Sequence, residues 1–266
     1  MELMSNNRNP PLSVEEEFFC VKFELKALSN LTIKGEAERW VPGYIWPINE
    51  KEHISRYELA ANYVRDKKVL DIACGSGYGS YLLAKKGGAV EVLGCDLDSE
   101  AIRYGDLRYF HQNVSRSIQD AEQFNVTNQY DVAISFETIE HLDNYTLFLQ
   151  NVHNSLKTNG ILIISTPIVD KTHTKCYNPY HKIEWSFNDF QKLISHFFTI
   201  QETYIQSLRW KEKKRNRVER FAMRVLNRIR NSSNSVPEVN PFPELYSGKN
   251  ESNIKEGYQI IICKKI

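Results

Sequence analysis

Short apolar runs alternate along this chain with stretches of helical periodicity. Val69–Ala73, Val90–Cys95, Tyr130–Phe136 and Ile161–Ser165 have the length and content of buried strands. Phe198–Gln206 and Tyr258–Lys264 extend the series, and the second, YQIIICK, is β-branched enough for a central antiparallel strand. Helices are predicted between them. His53–Val64 carries Ile54, Tyr57, Leu59, Ala60 and Tyr63 as an apolar stripe. Ser80 opens a second helix, and Leu97–Ile102 opens a third with acidic residues in its first turn. Leu147–Leu156, ended by Asn159-Gly160, and Phe187–His196 are two more. The pattern is that of one large α/β domain with additions, which 266 residues accommodate.

The additions lie at the N-terminus and before the last strand. Residues 1–35 read as an accessory arm, mobile over the polar, proline-bearing Asn6–Pro11. With the following turn-rich segment they form an arm and cap over 1–52, ahead of a core over 53–206. Trp40 and Trp46 in that cap either cover the core or line an acceptor pocket. Residues 207–255 are an insertion too long for an ordinary hairpin, and 256–266 return to the core as its last strand. Within the insertion, Arg209–Arg230 carries a net charge of +8, in a chain whose total is +1. Val218, Phe221, Ala222, Val225, Leu226 and Ile229 recur there at helical spacing. A basic amphipathic helix of this kind suits a peripheral membrane or polyanion contact, or packs its apolar face on its own domain or a partner. Asn231–Ser252 reads as a linker loop.

Composition narrows the setting. No apolar run approaches the roughly 20 residues of a membrane-spanning helix, and the first residues lack the basic-then-apolar order of a secretion signal. Cys20, Cys74, Cys95, Cys176 and Cys263 are odd in number and scattered, with no C-x-x-C pair. Neither a zinc knot nor a disulfide framework is expected, and a cytoplasmic location fits best.

The chemistry concentrates in two stretches. The first strand turns through Gly75-Ser76-Gly77-Tyr78-Gly79 into a helix. Glycines there let backbone approach a ligand closely, and a helix start offers free N–H groups to a polar or anionic group. Asp71 lies inside the strand, and Asp96 ends the second strand 21 residues after Gly75, where a carboxylate accepts both hydroxyls of a ribose. The second stretch is Glu137-Thr138-Ile139-Glu140-His141, after the fourth strand. On a helix its two glutamates and histidine share one face, at the sheet edge where open α/β folds bind ligands.

An acidic residue, a G-x-G turn and a second acidic residue after strand two together resemble the class I S-adenosylmethionine-dependent methyltransferases. A dinucleotide dehydrogenase would carry a third glycine where Ser80 stands. The resemblance implies a doubly wound, seven-stranded, mostly parallel α/β sheet, Rossmann-like, with the arm and the basic helical insertion as extras. It implies cofactor contacts from Asp71, Gly75, Ser76, Gly77, Asp96, Leu97, Asp120, Ala121 and Glu137. The helix before strand one lies across the cofactor mouth in this family. Arg56 then either pairs with the methionine carboxylate or is a solvated surface arginine. Asp120 either binds the adenine amino group or caps a turn.

Methyl transfer to a hydroxyl needs a base or a Lewis acid. His181 and His141 are the candidate bases. Alternatively, Glu137, Glu140, His141 and His181 hold Mg²⁺ or Mn²⁺. E-x-x-E-H followed by H-K-I-E-W also resembles the small-RNA 3′-terminal 2′-O-methyltransferases, where such a set holds a metal. Over residues 36–200 the wider pattern is most similar to bacterial methyltransferases of glycan pathways. The motifs carrying it are ER-x-VP-G, H-x-x-RY, F-E-T-I-E-H and N-P-Y-H. The acceptor expected first is therefore a sugar hydroxyl on a glycan or sugar-nucleotide precursor. RNA ends come second, with the basic segment holding phosphates, and a ubiquinone-like small molecule third. A methyltransferase fold kept only as a binding module comes last.

Overall fold

A computed structural model describes residues 10–30, 41–43, 47–206, 245–247 and 254–266. The expectations for Asn6–Asn9, Trp40, Trp46, the basic segment Arg209–Arg230 and most of the linker lie outside these residues.

The described elements are α1 (Val14–Ser29), α2 (Pro47–Ala61), β1 (Lys68–Ile72), α3 (Tyr78–Lys85), β2 (Glu91–Asp96) and α4 (Ser99–Arg108). Then come β3 (Val114–Ile118), β4 (Tyr130–Phe136), a 3₁₀ turn (Ile139–His141), α5 (Tyr145–Ser155) and β5 (Leu156–Val169). The chain ends with β6 (Trp185–Ser186), α6 (Phe187–Ser195), β7 (Phe198–Gln206), β8 (Leu245–Ser247) and β9 (Gly257–Lys265). They build one sheet in the order β3-β2-β1-β4-β5-β9-β7-β8, with the two-residue β6 pairing β5. β3 to β5 run parallel, and β9 is antiparallel to both β5 and β7. The expected seven-stranded sheet is thus present, extended by the short β6 and β8.

Alternation along the strands divides the core. Val69 and Val92 pack into one apolar cluster with α2, α3 and α4, while Leu70 and Ile72 pack into another with α5 and α6. Successive side chains of a strand point to opposite faces, so helices must cover both. The strand order reverses between β1 and β4, and the cleft of such a sheet opens at the strands' C-terminal ends there.

Several expectations change. The helix before β1, expected over His53–Val64, spans Pro47–Ala61. Asn159-Gly160 does not end α5. Leu156 is buried against Tyr130, so the chain enters β5 at once, and Asn159 sits inside that strand at φ +63°. Leu245–Ser247, expected as linker, pairs with β7. The arm also holds a docked helix. Ser13 and Glu16 close a capping box at its start, Phe23 stacks on Tyr104 at 4.5 Å, and Glu24 accepts from Tyr104 Oη and Arg108 Nε at 3.0 Å each.

Candidate active site

The loop after β1 is shaped by what lies beneath it. Asp71 is fully buried and accepts from Ser80 Oγ at 2.6 Å and Tyr57 Oη at 3.0 Å. Burial pushes its carboxyl up to about 6, against the pull of those two donors. Asp71 therefore ties α2, β1 and α3 together under the loop and positions it, and both its oxygens are engaged by protein. Tyr57 reaches this far because Gly79 has no side chain: a Cβ there would lie 2.1 Å from the tyrosine ring. Gly75 has φ +55° and open space where a Cβ would stand, so the loop borders an unfilled cradle.

At the tip of β2, Asp96 Oδ2 accepts from Gly75 N at 2.9 Å and Oδ1 from Asp98 N at 2.9 Å. Leu97 is exposed beside it, and so is Ile118, the register partner of Asp96 on β3. Two solvent-facing aliphatic side chains at adjacent strand tips form an apolar ledge. Sequence reasoning missed Ile118, whose signal is an apolar strand end facing the cleft. Asp120 caps its own turn, accepting from Glu122 N and Gln123 Nε2 at 2.9 Å each. Ser76 is buried within the loop, and Ala121 packs against the apolar cluster under α5 and α6.

The second stretch does not form a helix. Glu137 takes a left-handed backbone, φ +52°, and only Ile139–His141 turn, as 3₁₀. The two glutamates and the histidine thus do not share a helical face. Ala73, at the end of β1, has φ +58°, so the tips of both central strands are strained where the cleft opens. Left-handed backbone at non-glycine residues costs about 1–3 kcal/mol and clusters at functional sites. Glu137 Oε1 accepts from Ser165 Oγ at 2.6 Å. Glu140 is fully buried, with Oε2 taking Thr166 Oγ1 at 3.1 Å and Oε1 without a hydrogen-bond partner. Burial, and after it the nearby Glu137 carboxylate, hold its carboxyl well above the usual range.

The two predicted histidines meet edge to face, with ring centroids 4.8 Å apart. His141 Nδ1 lies 3.2 Å from the Tyr180 carbonyl. A carbonyl only accepts, so Nδ1 carries the proton and Nε2 keeps its lone pair. Burial, and after it His181, keep this imidazole neutral by lowering its pKa. The His181 side chain is only 12% exposed. Its Nδ1 donates to Glu184 Oε1 at 2.6 Å, and its Nε2 accepts from Asn178 Nδ2 at 3.0 Å. That amide's orientation is fixed, because Asn178 Oδ1 accepts from Tyr180 N at 3.0 Å. The lone pair of His181 is therefore taken, whereas no protein donor among the described residues occupies that of His141. Glu184, three residues after His181, was missed as a partner, although that spacing was its signal.

Arg56 is not a solvated arginine. It is buried, its Nη1 donates to Gln206 Oε1 at 2.5 Å, and it lies over the Tyr258 ring at 4.9 Å. Its charge lowers the pKa values of both Glu52 and Glu140. Burial nevertheless pushes Glu52 up to about 7. Arg56 Nε and Glu52 Oε1 are buried without hydrogen-bond partners. Glu52, Gln206 and Tyr258 escaped sequence reasoning, since each is one polar residue in an otherwise ordinary helix or strand.

The residues present fit a divalent metal in part, since both nitrogens of His181 are engaged, by Glu184 and by Asn178, and Asn178 would have to yield one. Glu140, His141 and His181 each bring a ligand atom within 4.8 Å of the others, and the unpartnered Glu140 Oε1 is suited to an ion. Glu137, the fourth predicted ligand, is outside this group and is held by Ser165.

A cradle of loop backbone with a carboxylate at the tip of β2, on this strand order, is the build of a methyltransferase. A family model for a methyltransferase domain matches residues 64–221, more than half of the chain, and the chain belongs to that family. Among curated relatives, ubiquinone biosynthesis O-methyltransferase of Rickettsia bellii is 32% identical over 123 residues, 45% of this chain and 50% of that protein. Malonyl-[acyl-carrier protein] O-methyltransferase of Priestia megaterium is 29% identical over 110 residues, 41% of this chain and 40% of that one. The chain thus spans about half the length, or less, of these curated relatives. The N-methyltransferase NodS of Bradyrhizobium japonicum, solved with S-adenosylhomocysteine, superposes with a TM-score of 0.54 at 13% identity, covering 92% of this chain and 98% of that one. The [4+2]-cyclase SpnF gives 0.60 at 14%, covering 96% of each. Likeness at such identities shows the fold alone. No helix among the described residues is long and apolar enough to cross a membrane.

Proposed function

We propose that this chain transfers a methyl group from S-adenosylmethionine to a hydroxyl oxygen, with His141 as the base. The observation that carries it is the His141 tautomer, which leaves Nε2 unprotonated in a half-buried cleft beside His181. Two relatives matched over the core are named O-methyltransferases.

The cofactor supplies a methyl group already activated by a sulfonium charge. The protein's share is to align the acceptor and remove its proton. Asp96 and the Gly75–Gly77 backbone hold the ribose and the cofactor's polar tail, and Leu97 with Ile118 flanks a flat base. Arg56, buried and held by Gln206, contributes its positive charge on the side of the methionine carboxylate. His141 Nε2 takes the hydroxyl proton. His181, held by Glu184 and Asn178, orients the acceptor, which reverses the roles the sequence suggested for the two histidines.

For the acceptor we propose a sugar hydroxyl of a glycan or its precursor, on the strength of the motif pattern over residues 36–200. A second reading, a ribose 2′-hydroxyl at an RNA end, is favoured by the grouping of Glu140, His141 and His181. On that reading these three would hold a divalent ion that polarises the hydroxyl, and Arg209–Arg230 would contact phosphates. A cofactor-consumption assay against glycans, sugar nucleotides and short RNAs, with and without chelator, tests both. Chelator-insensitive turnover on a glycan supports the first, and chelator-sensitive turnover on RNA supports the second. Failure to bind S-adenosylmethionine would contradict both.

A further inference from the structure

Behind His181, on the far side of Glu184, three more side chains of metal-ligating type converge. We propose that His173, Cys176 and Glu184 form a zinc site that clamps the loop carrying His181. Each brings a ligand atom within 4.8 Å of the others. His173 Nε2 lies 3.6 Å from Glu184 Oε2, and Cys176 Sγ lies 3.8 Å from the His173 carbonyl. Two backbone hydrogen bonds of 3.0 Å, His173 N to Glu184 O and Glu184 N to His173 O, hold the two ends of the loop together. The backbones at His173 and Glu184 are therefore paired before any ion binds.

The donor set selects the metal. A thiolate, an imidazole and a carboxylate suit zinc, whereas magnesium and manganese favour oxygen ligands. Three protein ligands leave a fourth position for water. His173 is 41% exposed on its side chain and Cys176 half-buried, so an ion can enter, while the other four cysteines are buried. Binding displaces the thiol proton of Cys176 to solvent. The site shares no ligand with the Glu140, His141 and His181 group, which contains no sulfur, and touches it only through the Glu184–His181 hydrogen bond; the proposal does not rest on the acceptor or on the reaction.

Its consequence for the cleft runs through Glu184. One carboxylate oxygen, Oε1, holds His181 Nδ1 at 2.6 Å, and the other, Oε2, faces His173. A zinc ion on Oε2 fixes the carboxylate, and the carboxylate fixes the imidazole. Such outer partners typically change metal affinity or activity 10–100-fold when lost.

The test is Co²⁺ titration of the reduced, full-length protein, followed by absorption. Cobalt bound by a thiolate gives a sulfur-to-metal charge-transfer band in the near ultraviolet, with tetrahedral d–d bands in the visible. We expect the band to saturate at a single equivalent, to vanish in Cys176→Ser, to weaken in His173→Ala and to persist in His141→Ala. Zinc should remove it, and should protect Cys176 from a thiol reagent in the native protein. Cobalt uptake without a sulfur band, or a band that survives Cys176→Ser, overturns the proposal. A melting curve for Cys176→Ser like that of the parent, both without metal, excludes misfolding as the cause.

Discussion

The two sides of the cleft are built differently. On the β1–β2 side the surface is mostly backbone: glycines, a helix start and one carboxylate, Asp96, braced by Gly75 N. On the β4–β5 side, side chains do it: a buried Glu140, two imidazoles, and a loop that returns from residues distant in sequence. The first arrangement follows from a short contiguous motif and tolerates little variation in shape. The second is assembled from separate segments, so its geometry depends on contacts between residues distant in sequence.

The largest expected effect separates the two sides. His141→Ala should cut turnover by roughly 10²–10⁴-fold, the usual range for a positioned general base, with cofactor affinity unchanged. Steady-state kinetics beside equilibrium binding measures both. A His141→Ala enzyme with full turnover would move the base elsewhere.

Legibility followed the same division. Gly75, Gly77 and Asp96 could be found from sequence because a backbone cradle needs particular residues at fixed spacing. So could most of the strands, as apolar runs of strand length, whereas their order came only from the family resemblance, and β3, with no strand face fully buried, left no clear apolar run. The pairing of His141 with His181 was legible as topology, because neighbouring strands open on one edge. Their tautomers were not, since these depend on the Tyr180 carbonyl and the Asn178 amide, which carry no sequence signal. Glu137 was misread as part of a helical face because its backbone is left-handed and only Ile139–His141 turn, as 3₁₀. Arg56 was undecided because its burial depends on Gln206 and Tyr258, both remote in sequence.

A second prediction concerns the β1–β2 side alone. The folded value of Asp71, about 6, lies above its ordinary 3.8, so the native state binds this proton more tightly than the unfolded chain. The stabilisation is full below the unfolded value and is lost as pH rises through about 6. Native stability should therefore lose roughly 3 kcal/mol from this group across that window. Asp71→Asn should remove that part of the slope in urea melts taken between pH 4 and 7. An unchanged slope would mean that Asp71 is not the group responsible.

Smaller effects sharpen the contrast. Asp96→Ala should weaken S-adenosylmethionine binding by about 1.5–3 kcal/mol, the range for hydrogen bonds to a charged group. Gly79→Ala forces a Cβ into the Tyr57 ring and should cost about 1–3 kcal/mol of stability by overpacking, read as a lower melting temperature. A Gly79→Ala protein as stable as the parent would show that Tyr57 has room to move, and would weaken the argument that it braces Asp71.

Binding calorimetry of S-adenosylmethionine to the parent protein, to Asp96→Ala and to His141→Ala tests the division most directly. Tight binding to the parent is expected, with roughly tenfold or greater weakening in Asp96→Ala and parental affinity in His141→Ala. Equal weakening in both variants would contradict it, as would a parent protein that binds no S-adenosylmethionine.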